Sequence, residues 1–189
     1  CDPPASVSSH YLVEEDGTIF QLVDEDKRAW HAGRGQWQEC EDVNSSSIGI
    51  EIVNPGHEFG YRSFPDLQID AVIALCRDIL TRHDIRPDRI IAHSDMAPDR
   101  KEDPGELFPW DRLAANGIGL WASAEPTTDE DACTETEFDA MLDRLGYGPN
   151  DTLKRRIAFQ RHWRPSDISG KLDGECTAIL RVLLAKAGR

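Results

Sequence analysis

Apolar and polar residues alternate along VSSHYLV (7–13) and again along TIFQLV (18–23), the period-two pattern of half-buried strands. Between them EEDG (14–17) carries Asp16-Gly17, a strong hairpin signal. SIGIEIVN (47–54) is short, β-branched and apolar on both faces, which predicts a central strand. The period then changes. Ile69, Val72, Ile73, Cys76, Ile79 and Leu80 fall on one helical stripe behind Ser63-Phe64-Pro65-Asp66, where Ser63 reads as the N-cap. RIIAH (89–93) reads as a further short strand after Pro87, and DRLAANG (111–117) as a short helix stopped by Gly117.

Three more helices are predicted beyond residue 133. The first runs over 134–145 with Thr134 as its cap and Phe138, Leu142 and Leu145 inward. The second covers 151–162 with Asp151 as cap, and the third 174–186 with Ile179, Leu180, Leu183 and Leu184 inward. A core of that size is marginal unless it docks on a neighbour.

Charge divides the chain in the same place. The 189 residues hold 35 acids and 21 Lys plus Arg, a formal charge of -14. Residues 1–121 contribute 23 acids and 11 bases (net -12), residues 122–143 eight acids and no Lys or Arg, and residues 144–189 ten bases and four acids (net +6). The chain thus reads as three segments: a domain over 1–121, an acidic linker over 122–133 and a helical domain over 134–189. Overall acidity argues against binding nucleic acid. No apolar run approaches the roughly 20 residues that span a bilayer, and a monomer is expected. Five scattered cysteines without a CxxC pair speak against thiolate zinc and against a disulfide framework. Cys1 raises the thought of a lipid-modified terminus, but the residues after it read as domain interior.

Several polar residues stand where chemistry could sit. His93 ends a predicted strand and Asp103 lies ten residues on in a Pro/Gly-rich loop, a donor pair that suits zinc. Spacing alone leaves a second reading, in which His93 caps the strand and Asp103 starts a turn before Pro104. Glu51 lies between Ile50 and Ile52, where a carboxylate is costly unless used as a base or turned out at a strand edge. Lys101 reads as an oxyanion-stabilising cation or as a solvated loop charge. Trp30 and His31 form an aromatic and imidazole patch. His10 is as readily a satisfied inward histidine as a site residue, and His57, His83 and His162 receive no role.

Taken together, residues 7–33, SIGIEIVN (47–54) and AHSDMAPDRKEDPGELFPW (92–110) resemble the N-acetylmuramoyl-L-alanine amidases of the AmpD/AmiD type, which share a fold with phage T7 lysozyme and peptidoglycan recognition proteins. MLDRLGYG (141–148), AFQRHWRP (158–165) and GKLDGECTAIL (170–180) resemble the small peptidoglycan-binding domain that accompanies some of them. The resemblance implies an α/β fold, a mixed central β-sheet flanked by helices, plus a small three-helix domain. It further implies Zn2+ held by His93, Asp103 and a third histidine expected upstream of residue 1, Glu51 as the base that activates water, Lys101 beside the oxyanion, and Trp30 and His31 lining the substrate cleft. The implied reaction is zinc-dependent hydrolysis of the amide between the lactyl group of N-acetylmuramic acid and L-alanine, in peptidoglycan or muropeptide fragments.

One departure qualifies that expectation. The family's first zinc histidine ends an initial strand reading like VIHYT, which lies upstream of the VSSHYLV stretch, so the chain is expected to be a fragment. The alternative is a non-catalytic peptidoglycan-binding protein with an incomplete metal site, its basic C-terminal helices attracting an acidic wall polymer. The periplasm or cell envelope is the expected compartment, with the cytoplasm as the alternative.

Overall fold

A computed structural model describes residues 7–124, 128 and 131–189. Cys1 and part of the 122–133 linker lie outside the described residues. The chain divides into two compact units, one comprising 1–36 and 40–84, the other 37–39 and 85–189.

The first unit contains the sheet. Strand β1 (Tyr11–Val13) pairs antiparallel with β2 (Ile19–Gln21) and parallel with β3 (Ile50–Ile52), giving the order β2-β1-β3. The hairpin forms where Asp16-Gly17 predicts it: Gly17 has a positive φ of 86°, and the Thr18 N–H donates to Asp16 Oδ1 at 2.9 Å. Helix α1 (Val43–Ser46) precedes β3, and α2 (Asp66–Arg82) packs against β1. Buried Ile69, Val72, Ile73 and Ile79 form the predicted stripe of α2. Buried Gln68 donates to the carbonyls of Val13 (3.1 Å) and Val53 (2.8 Å), fastening the helix to the strand ends. The mixed α/β architecture implied by the resemblance is present.

Three local expectations change. Helix α2 starts at Asp66 with Pro65 in the cap position, not from Ser63, because the residue before a proline is pushed out of helical geometry and Phe64 cannot join the helix. Strand β3 is an edge rather than a central strand among the described residues, since β1 is its only partner. RIIAH forms no strand. It gives a 3₁₀ turn (Pro87–Arg89), extended Ile90 and Ala92, and helix α3 (His93–Met96). Extended backbone without a ladder partner is a connection, not a strand.

The second unit is helical. Besides α3 it holds α4 (Trp110–Ala115), α5 (Glu135–Leu145), α6 (Thr152–Trp163) and α7 (Gly174–Ala187). Both predicted caps form: Thr134 exchanges hydrogen bonds with Glu137 in a capping box, and the Asp151 carboxylate accepts the Lys154 N–H at 3.0 Å. Phe138, Leu142, Phe159, Leu180 and Leu183 fill the space between the last three helices. Trp37 forms an isolated antiparallel bridge to Tyr147 and donates its indole N–H to the Asp88 carbonyl at 2.9 Å. No helix among the described residues is long and apolar enough to cross a membrane.

Candidate functional site

The loop after α3 returns to the helix that precedes it. The Arg100 and Lys101 N–H groups donate to the Ala97 carbonyl, and the Ser94 N–H donates to the Asp103 carbonyl at 3.0 Å. That fold brings His93 and Asp103 together, with Nδ1 and Oδ2 2.9 Å apart. Partial desolvation raises the Asp103 pKa, but the bond to His93, the His93 charge and nearby Lys101 outweigh it, and the carboxyl is held below its ordinary value. An imidazole, a carboxylate and an ammonium therefore share one corner of the second unit, and it can present both a donor and a positive charge to an anionic or carbonyl group.

The remaining predicted site residues lie in the first unit. Glu51 is exposed on β3, opposite Leu12 of β1, so the carboxylate escapes desolvation by facing outward. Trp30 is 54% exposed, with the Arg28 guanidinium 4.3 Å from its ring centroid. Hydrogen bonds between Trp30 N–H and Ser8 Oγ (2.9 Å) and between Ser8 N–H and the Trp30 carbonyl (3.1 Å) hold its backbone. Next to it, the His31 and Ala32 N–H groups both donate to Asn44 Oδ1, at 3.0 and 2.9 Å.

His10 resolves to the inward reading. It is buried, its Nδ1 accepts the Gly49 N–H at 3.0 Å, and its Nε2 reaches the Lys27 carbonyl at 3.0 Å. Those partners require the neutral tautomer with its proton on Nε2. Its ring meets that of His31 edge-on with centroids 5.5 Å apart.

The zinc centre implied by the resemblance does not assemble. Among the described residues no group of three or more His, Cys, Asp or Glu side chains could hold a metal ion. A catalytic zinc takes three protein ligands. His93 and Asp103 supply two donors, which bond to one another, and the ring nitrogens of His10 are committed to backbone groups. Zinc as cofactor, and zinc-dependent hydrolysis as the activity of these residues, are corrected accordingly.

Three functional candidates escaped the sequence reading. Asp95, two residues past His93, is wholly buried and receives Tyr147 and His162. Their only signal is a carboxylate beside the apolar run MAP and a histidine beside Trp163, neither specific enough to pair them. Nearby, Asp99 accepts the Asp151 N–H at 3.2 Å.

The profile of the Amidase_2 family, N-acetylmuramoyl-L-alanine amidase, matches residues 1–106. The chain belongs to that amidase family. AmiD of Escherichia coli K12 is 39% identical over 211 residues, spanning 97% of this chain and 75% of that protein. The structure of E. coli AmiD with anhydro-N-acetylmuramic acid-L-Ala-D-γ-Glu-L-Lys superposes with a TM-score of 0.88 at 37% identity, over 97% of this amidase-family chain and 81% of the other. AmpDh3 of Pseudomonas aeruginosa, in complex with an anhydromuramic pentapeptide, gives a TM-score of 0.86 at 33% identity, over 96% and 83% of the two chains. Its enzyme class is thus that of the muramoyl-alanine amidases.

Proposed function

We propose that this amidase-family chain recognises peptidoglycan and its muropeptide fragments through a site whose metal set is incomplete, binding without zinc-dependent turnover. The carrying observation is the pairing of His93 with Asp103 in the absence of any third donor among the described residues, in a chain whose similar solved structures hold anhydromuramoyl peptides. Lys101 and His93 suit the carboxylates of a stem peptide. In the first unit, taken by itself, the open Trp30 face suits the apolar side of a sugar or lactyl group. Glu51 is exposed on β3 in the same unit, where its carboxylate can meet a ligand's polar groups. The compartment that fits a wall ligand is the periplasm or envelope, with the cytoplasm as alternative.

Calorimetric titration with anhydro-N-acetylmuramoyl-L-Ala-D-γ-Glu-L-Lys tests the reading, beside a turnover assay on the same ligand with Zn2+ added and with EDTA. The expected result is saturable binding with a Kd below about 1 mM and no release of free peptide. Absence of binding, or peptide release that appears with Zn2+ and stops in EDTA, overturns it.

A further inference from the structure

Helix α3 has only four residues (His93–Met96), far too short to be stable alone. It is held through one buried carboxylate. Asp95 Oδ2 accepts the Ala92 N–H at 2.8 Å and lies 2.6 Å from His162 Nδ1, while Oδ1 accepts the Tyr147 hydroxyl at 2.7 Å. Asp95 is 0% and His162 2% exposed. A carboxylate so completely removed from water needs every one of these donors. Ala92 is local, but Tyr147 and His162 lie 52 and 67 residues further along the chain, just after α5 and in α6.

The imidazole that reaches Asp95 has little freedom. Its ring stacks between Trp110 (centroids 3.9 Å, planes 26° apart) and Trp163 (3.7 Å, 6°), and Trp163 is itself tied to the Leu120 carbonyl at 3.3 Å. Tyr147 stays protonated because burial, and then the Asp95 charge, push its pKa well above the ordinary phenol value. The same helices grip the loop after α3 twice more. The Asp151 N–H meets Asp99, and Arg161 faces Glu102 and Glu106 at 3.6 and 3.4 Å. Since Ser94 N–H holds the Asp103 carbonyl, any rotation of α3 changes how His93 meets Asp103.

We propose that Asp95, Tyr147 and His162 are positioning residues, through which the C-terminal helices set the orientation of α3 and hence of the His93–Asp103 corner. This rests on the reading that the corner binds muropeptide. The C-terminal segment then acts as a structural part of the recognition site, beyond any surface it offers to the wall.

The test uses the full chain and the variants Tyr147→Phe, His162→Leu and His162→Asn. Asparagine returns an N–H near the position of Nδ1; leucine does not. For each protein we would measure the unfolding midpoint, muropeptide affinity well below that midpoint, and the His93 ring nitrogen resonances at one fixed pH. Tyr147→Phe and His162→Leu are expected to weaken affinity about tenfold, the worth of one hydrogen bond to a buried charge, and to shift the His93 resonances. His162→Asn is expected to recover both. Unchanged affinity and unchanged His93 resonances in folded variants with lowered midpoints would mean a merely structural role and overturn the proposal. If the unaltered chain fails to bind muropeptide, the functional reading falls, and the His93 resonances still decide the positioning. Tyr147→Phe, which removes a single hydroxyl, decides it if His162→Leu does not fold.

Discussion

Gly49 offers a sharp test of how the first unit is packed. A Cβ built there would lie 2.2 Å from His31 Cγ and 2.5 Å from both Cδ2 and Nδ1. Neither backbone can yield easily. The Gly49 carbonyl accepts the N–H groups of His10 and Tyr11, and its own N–H donates to His10 Nδ1. His31 is pinned through its N–H to Asn44. The imidazole must therefore swing away, and to reach an ordinary contact near 3.4 Å it retreats by about 1 Å. Overpacking of this kind costs about 1–3 kcal/mol. For a chain of this size each kcal/mol lowers the unfolding midpoint by roughly 2–4 °C, so Gly49→Ala should lose about 4–8 °C at a cost near 2 kcal/mol. Its backbone is not in the left-handed region, so the penalty is one of space and disappears with the ring. A double-mutant cycle by urea unfolding isolates the effect. With His31→Ala in place, Gly49→Ala should be neutral or slightly stabilising, since alanine restricts the unfolded chain by about 0.4–1 kcal/mol. The coupling energy should then exceed about 1 kcal/mol. Equal costs with and without the His31 ring would refute the reasoning.

Three further outcomes are expected. Glu25 accepts hydrogen bonds from Arg82 and Tyr11 and faces His83, and the Arg82 bond, with Tyr11 and His83 behind it, lowers its pKa from 4.5 to about 2 against the opposing effect of burial. Because the folded value is the depressed one, the stabilisation is full above about pH 4.5 and lost as pH falls toward 2. The shift corresponds to about 3 kcal/mol at full strength, discounted to about 1–2 kcal/mol because Arg82 meets water. Glu25→Gln should therefore cost that much at pH 7 and nothing near pH 2, and a pH-independent difference in urea unfolding would contradict it. Thr134→Ala removes the capping box of α5 and should cost about 1 kcal/mol, read as loss of helical circular dichroism at a lower midpoint, with Thr134→Ser retaining most of it. Lys101→Met should weaken muropeptide affinity about tenfold with only a small drop in the unfolding midpoint, since Asp103 keeps its bond to His93; titration calorimetry reads the change, and unaltered affinity would remove Lys101 from the site.

What was legible in the sequence is what short-range chemistry decides. Asp16-Gly17 makes its turn within four residues, and Thr134 and Asp151 satisfy donors three residues ahead, so the hairpin and the starts of α5 and α6 fall where residue type places them. RIIAH has strand composition but no ladder partner, a property of other segments that no local pattern contains. His93 and Asp103 are ten residues apart and could be paired by spacing, whereas Asp95 and His162 are 67 apart and each alone reads as an ordinary polar residue.

Charge shows the same division most clearly. The excess of six bases after residue 143 suggests a basic surface for an acidic polymer. The fold spends much of it internally. Arg155 faces Asp143, Arg156 takes Asp139 and Glu135, and Arg164 takes Asp173 and Glu175, with each guanidinium-bearing side chain at most 11% exposed. Arg161 faces Glu102 and Glu106 from the loop beside α3. Acids at 135, 139 and 143, close behind an acidic stretch that reads as linker, are thus the partners of arginines that read as ligand-binding charge. Guanidinium groups held this far from water by surface carboxylates fix one packing rather than attract a solute. Affinity for an anionic wall fragment therefore has to come from cations outside these pairs, of which Lys101 beside His93 is the one proposed for recognition.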